Sequence, residues 1–120
     1  MQITPAELEI MNVLWDKPGI GASEIADALK HDKSWNIRTI KTLVARLVEK
    51  GALGTEPDGR RYLYRPLVKR GDYQKKAAKQ FVDRMFGGRA APLVAHLADA
   101  RGLSKDDIAE LEKLLGELKK

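Results

Sequence analysis

Arg38, Thr39, Lys41, Thr42, Ala45 and Arg46 fall within nine consecutive residues, and a second basic pair, Arg60 and Arg61, follows shortly after. These residue types suit a nucleic-acid surface. Guanidinium and ammonium groups meet phosphates and guanine edges, hydroxyls serve either role, and an alanine methyl can touch the methyl of thymine. The first acid after Asp32 is Glu49, beyond the proposed contact zone. An ordinary solvated helix mixes Glu with Lys, so an acid-free basic stretch is informative. Arg38, Lys41, Thr42 and Ala45 are the candidates for reading bases, with Thr39 and Arg46 gripping the backbone. The bland alternative is a solvated basic face.

Such a face needs a helix held from behind. Ile37, Ile40, Leu43, Val44, Leu47 and Val48 recur at helical spacing and predict an apolar stripe along a helix over about 36–50. Asn36 or Ser34 can cap its start, and Gly51 suits its end. Ahead of it, Thr4-Pro5-Ala6-Glu7 carries a cap, a first-turn proline and a capping-box acid. Leu8, Met11, Leu14 and Trp15 supply that helix's core face before Asp16-Lys17-Pro18-Gly19 ends it. A short helix follows Gly21, with Ile25, Ala26 and Leu29 as its apolar side.

Downstream, Leu53–Glu56 and Arg61–Arg65 read as strands flanking a Pro57-Asp58-Gly59-Arg60 turn. This hairpin, about 53–66, places Arg60 and Arg61 at a tip that can reach a phosphate or a minor groove. It must pack Tyr62 or Tyr64 with Leu53 on the helices, because two strands alone are marginal. Three helices and a basic hairpin form a winged helix-turn-helix. The predicted fold is mainly α, with a winged-helix DNA-binding domain over 1–68 and a helical region over 69–120. That second region holds three amphipathic helices. They carry Tyr73, Ala77, Phe81, Val82, Met85 and Phe86; then Leu93, Val94, Leu97 and Ala98; then Ile108, Leu111, Leu114, Leu115 and Leu118. So few residues cannot bury three apolar faces alone, which points to a second copy as partner.

The charge follows the same division. The net charge of +5 is unevenly spread: residues 1–32 sum to −4, residues 33–70 to +7 and residues 71–120 to +2. The basic segment coincides with the candidate helix and hairpin, the electrostatic footprint of a DNA binder. With no cysteine among 120 residues, disulfides, zinc fingers and thiol catalysis are excluded. His31 and His96 have no partner pattern, and HExxH, GxSxG and P-loop motifs are absent. Asp106-Asp107 reads as a helix start. The chain is expected to be no enzyme and to need no cofactor or metal. No apolar run reaches the ~20 residues of a membrane helix, and no secretory signal is visible, so the expectation is a cytoplasmic protein without membrane insertion.

Leu14-Trp15, Thr39-Ile40-Lys41-Thr42-Leu43 with Arg46-Leu47, Lys50-Gly51, Gly59-Arg60, Tyr62–Pro66 and Phe86-Gly87-Gly88 before Leu93-Val94 occur in order. This ordered set resembles the penicillinase-repressor (BlaI/MecI/CopY) family across essentially the whole chain. The resemblance implies a homodimeric transcriptional repressor. Each N-terminal winged helix would bind half of a palindromic double-stranded operator, and the C-terminal helices would interlock with a partner copy. It places Arg38, Thr39, Lys41, Thr42 and Arg46 on the DNA-contacting helix and Arg60 and Arg61 on the wing. Copper-responsive relatives carry C-terminal cysteines, which this chain lacks, so copper sensing through that motif is ruled out. Resistance repressors are relieved when a membrane-associated sensor protease cuts an Asn-Phe bond. His96-Leu97 occupies that region here, a different residue pair at a possible proteolytic-control site. Two other functions stay open at this point: a winged helix sensing a small ligand in its C-terminal half, and a winged helix that binds protein.

Overall fold

The computed structural model describes residues 1–120, with the element order α1 (Pro5–Asp16), α2 (Ala22–Leu29), α3 (Ile37–Glu49), β1 (Leu53–Asp58), β2 (Arg61–Pro66), α4 (Arg70–Phe86), α5 (Ala90–Asp99) and α6 (Lys105–Leu118). The chain divides within α4 into two compact units, one spanning Met1–Tyr73 and the other Gln74–Lys120.

In the first unit, local chemistry sets the helix ends. Thr4 Oγ1 accepts from the Glu7 N–H at 3.2 Å, and Glu7 Oε1 accepts from the Thr4 N–H at 2.8 Å, closing the capping box. Asn36 Oδ1 accepts from the Thr39 N–H at 2.9 Å, so Asn36 rather than Ser34 caps α3. The far end of α3 closes in a Schellman motif. The Ala52 N–H donates to the Leu47 carbonyl and the Gly51 N–H to the Val48 carbonyl, with Gly51 at φ +83. That left-handed turn delivers Ala52 and Leu53, both buried, to the base of the wing.

The core is one cluster at the junction of α1, α2, α3 and the start of β1. Ile10, Met11, Leu14, Ile25, Ile40 and Leu47 are fully buried, with Leu29, Leu43, Val44 and Ile20 around them. Leu8 and Trp15, expected on the core face of α1, are only half-buried. Trp15 instead fastens the end of the unit: its Nε1–H donates to the Val68 carbonyl at 2.9 Å. Arg70 lies over the Trp15 ring and pairs with Asp16 at 2.8 Å.

The wing is longer than the sequence pattern predicts. β1 and β2 pair antiparallel from Leu53↔Pro66 to Asp58↔Arg61, leaving only Gly59 and Arg60 as loop. Pro57 and Asp58 therefore belong to the strand, not to the turn. The closing pair of a two-residue hairpin is hydrogen-bonded, so Pro57 falls on a non-hydrogen-bonded position where a missing N–H costs nothing. Tyr64, not Tyr62, packs against the core, while Tyr62 is 56% exposed. A single-residue third strand completes the sheet: the Tyr64 N–H donates to Ile20 and the Gly19 N–H to Tyr64, each at 2.9 Å. This is a winged-helix domain.

An acidic groove of about 640 Å³ runs between α1 and α2, with Glu9, Asp16, Glu24, Asp27 and Asp32 on its walls and Lys17 as its one cation.

In the second unit, Ser104 and Asp107 form a capping box at the start of α6. α5 ends in a Schellman motif whose left-handed position is taken by Arg101 at φ +58, with Gly102 donating to the Leu97 carbonyl at 2.7 Å. No residue of α4, α5 or α6 is buried.

Candidate nucleic-acid interface

The buried stripe of α3 is made by Ile40, Leu43, Val44 and Leu47. It fixes which side of the helix faces outward. Arg38, Lys41, Thr42, Ala45 and Arg46 are all exposed, and Thr39 sits half-buried at the edge. Ile37, assigned to the stripe by its spacing, is instead 43% exposed. It lies in the first turn of α3, directly after the Asn36 cap, where the core cluster no longer reaches it. The exposed face therefore gains an apolar residue at the end of α3 that enters a groove first in helix-turn-helix proteins.

The charges on this face are uncompensated. Arg38, Lys41, Arg46 and Arg60 form no ion pair, whereas Lys50, Arg61, Arg65, Arg70 and Lys79 each do. Free, solvated cations release their counterions when they meet a polyanion, which is the driving term of phosphate binding. The Thr42 hydroxyl donates to the Arg38 carbonyl at 3.0 Å, so its hydrogen is engaged and its oxygen is free to accept.

The start of α2, the first turns of α3 and the wing converge on a groove of about 460 Å³ lined by Ala22, Ser23, Ile37, Lys41, Arg60, Arg61, Tyr62 and Tyr64. Three of the predicted cations, Lys41, Arg60 and Arg61, thus share one depression. The wing pair divides by role. Arg60 is a loop residue with a free guanidinium. Arg61 Nη1 lies 2.6 Å from Glu24 Oε1, and its Nε lies 3.3 Å from Asp58 Oδ2. Hydrogen bonding to Asp58 and the charge of Glu24 hold the Arg61 pKa above its ordinary value. Glu24 is held below its own, first by the Gly21 N–H and then by Arg61.

Ile37, Tyr62 and Ser23 line the groove without having been singled out for it. Only Ser23, one residue before the cap acid Glu24, carried a positional signal: the N-terminal turn of a helix beside a basic segment. Tyr62 shares its face of β2 with Tyr64, and alternation alone cannot tell which of the two is covered. Burial of the Tyr64 hydroxyl, with the neighbouring Tyr62, raises its pKa.

His96 and Leu97 both lie in α5 and are exposed, Leu97 at 40%. The His96 ring stands 5.8 Å from Phe86, and the His96–Leu97 peptide bond lies within helical backbone.

Comparison with known proteins agrees with this architecture. The family described as penicillinase repressor matches residues 3–117. The penicillinase repressor of Bacillus licheniformis is 34% identical over 118 residues, covering 98% of this chain and 92% of that protein. The methicillin resistance regulatory protein MecI of Staphylococcus aureus strain N315 is 33% identical over 116 residues, covering 97% and 94%. Among solved structures, monomeric B. licheniformis BlaI in complex with the blaP half-operator aligns with a TM-score of 0.52 at 38% identity, covering 61% of this chain and 89% of that one. With a winged helix at its N-terminus and the family match running nearly end to end, the chain belongs to the penicillinase-repressor family and is a transcriptional repressor, not an enzyme.

Proposed function

We propose that the chain is a homodimeric repressor that occupies a palindromic double-stranded operator and so excludes polymerase, with residues 1–68 binding DNA and residues 69–120 dimerising. The observation that carries the DNA reading is the set of unpaired cations Arg38, Lys41, Arg46 and Arg60 on the exposed face of α3 and the adjoining wing tip. Similarity to BlaI, solved on a half-operator, supports the same assignment. In this reading α3 enters the major groove. Arg38, Lys41, Thr42 and Ala45 address base edges, while Thr39, Arg46 and Arg60 hold phosphates. Palindromic binding sets two α3 helices about 34–36 Å apart, one turn of duplex.

The dimer reading rests on the second unit. Phe81, Met85, Leu97, Ile108, Leu114, Leu115 and Leu118 are each at least 40% exposed, more apolar surface than a lone unit keeps in water. A second copy carrying the same faces would cover them. Relief of repression through a cut at His96-Leu97 would require α5 to unwind locally, because a protease takes its substrate as extended chain.

Duplex binding followed by fluorescence anisotropy tests the proposal. Affinity for operator DNA falls linearly in log–log form with salt, with a slope of roughly −0.9 per phosphate neutralised. Lys41→Ala and Arg46→Ala weaken binding while leaving the far-ultraviolet circular dichroism and the melting curve unchanged. A flat salt dependence, or wild-type affinity in both variants, overturns it.

A further inference from the structure

Arg61 stands beside Arg60 at the wing tip, yet the two side chains are in opposite circumstances. Arg60 is unpaired. Arg61 spans Asp58 on its own hairpin and Glu24 on α2, with the 2.6 Å contact to Glu24 much the closer. Glu24 faces both ways: Oε1 receives Arg61 and Oε2 accepts from the Gly21 N–H at 3.1 Å. The backbone is drawn in at the same place. A Cβ on Gly21 would lie 3.2 Å from the Tyr62 carbonyl and 3.4 Å from Arg61 Nη1, so a larger residue at the start of α2 would push the wing back by a few tenths of an ångström. The Gly19–Tyr64 and Ile20–Tyr64 backbone bonds tie down the next stretch of β2.

We infer that Glu24 and Arg61 form a latch that sets the angle of the wing against α2, making both positioning residues for the groove in which Lys41, Arg60 and Tyr62 meet. Arg61 is then not a phosphate contact. The inference rests on the DNA-binding reading above. It reverses the sign of an expectation: an acid near a DNA surface repels phosphates, so its neutralisation ordinarily tightens binding. Here it loosens the wing and weakens binding.

The test is a double-mutant cycle on duplex affinity with Glu24→Gln, Arg61→Gln and the double variant. Glutamine at position 24 still accepts from the Gly21 N–H, so the helix cap survives and only the charge is lost. Each single variant binds about two- to fivefold more weakly, the range an exposed ion pair supports, and the double variant is no weaker than the worse single. The double variant keeps the wild-type net charge, so its loss reports geometry and not charge, and its log–log salt slope equals that of wild type. Arg60→Gln, by contrast, lowers the slope by about 0.9. Tighter binding by Glu24→Gln, or a slope reduced by about 0.9 in the double variant, makes Arg61 a phosphate contact and overturns the latch. Amide exchange supplies a readout without DNA: the Tyr64 and Arg61 amides exchange faster in Glu24→Gln than in wild type. Unchanged exchange refutes the latch, whereas absence of wild-type duplex binding refutes only the DNA reading.

Discussion

Glu7 is the one buried charged side chain in the protein, 1% exposed, and its environment decides how the fold responds to acid. Burial pushes its pKa up, but Lys50 Nζ at 2.5 Å and the hydrogen bonds from Thr4 outweigh that and hold it below its ordinary value of 4.5. A carboxylate with a lowered folded pKa stabilises the fold above its unfolded pKa and loses that contribution as pH falls through the folded pKa. Wild type therefore loses stability below about pH 4.5, and Glu7→Gln flattens this part of the curve. At neutral pH the same variant costs about 1–3 kcal/mol, because the Lys50 ammonium loses its counter-charge. Urea midpoints measured from pH 3 to 7 check both effects. The capping role of Glu7 was plain from Thr4-Pro5-Ala6-Glu7, because cap and acid are three residues apart. Its pairing with Lys50 was not, because the partner lies 43 positions away and no local spacing encodes it. The same holds for Arg61, whose partner Glu24 lies on another element.

Helices were legible where periodicity and end signals agree. α1 and α3 both begin on the residue after a capping side chain visible in the sequence, and α3 ends at a glycine suited to positive φ. The errors lie where packing overrides a period. Ile37 keeps the spacing of the stripe but stands one turn beyond the core, and Ile20 forms a strand of a single residue, too short for any alternation to show. The end of α5 is a local conflict of the opposite kind: the Schellman position that favours glycine holds Arg101, with Gly102 one place late. An L-residue there costs about 1 kcal/mol relative to glycine. Arg101→Gly is expected to stabilise the second unit by about that amount, seen as a higher denaturant midpoint; a lower midpoint would show that the arginine side chain has an offsetting role.

At the scale of the whole molecule, the two units solve different problems. The first buries a complete core within its own chain, whereas the second leaves every helix with an exposed apolar side. Light scattering at micromolar concentration is expected to return twice the chain mass. Leu114→Asp, which puts a charge into the 54%-exposed apolar face of α6, is expected to return the monomer mass with the N-terminal core still folded. A wild-type monomer would leave the exposed apolar faces of α4, α5 and α6 without a partner and overturn the dimer reading.

The acidic groove between α1 and α2 has a consequence for encounter with DNA. Its carboxylates belong to a segment of net charge −4, and the segment that follows, carrying α3 and the wing, is at +7. A body with opposite charge on two of its parts is an electric dipole, and the field of a duplex exerts a torque on it before contact. Glu7, Asp16 and Glu24 are already paired with Lys50, Arg70 and Arg61, so the imbalance rests on Glu9, Asp27 and Asp32 against the free cations of α3 and the wing tip, and the N-terminal unit is expected to meet a duplex basic side first. That advantage is one of arrival rate and vanishes once salt shortens the reach of the field below the size of the unit.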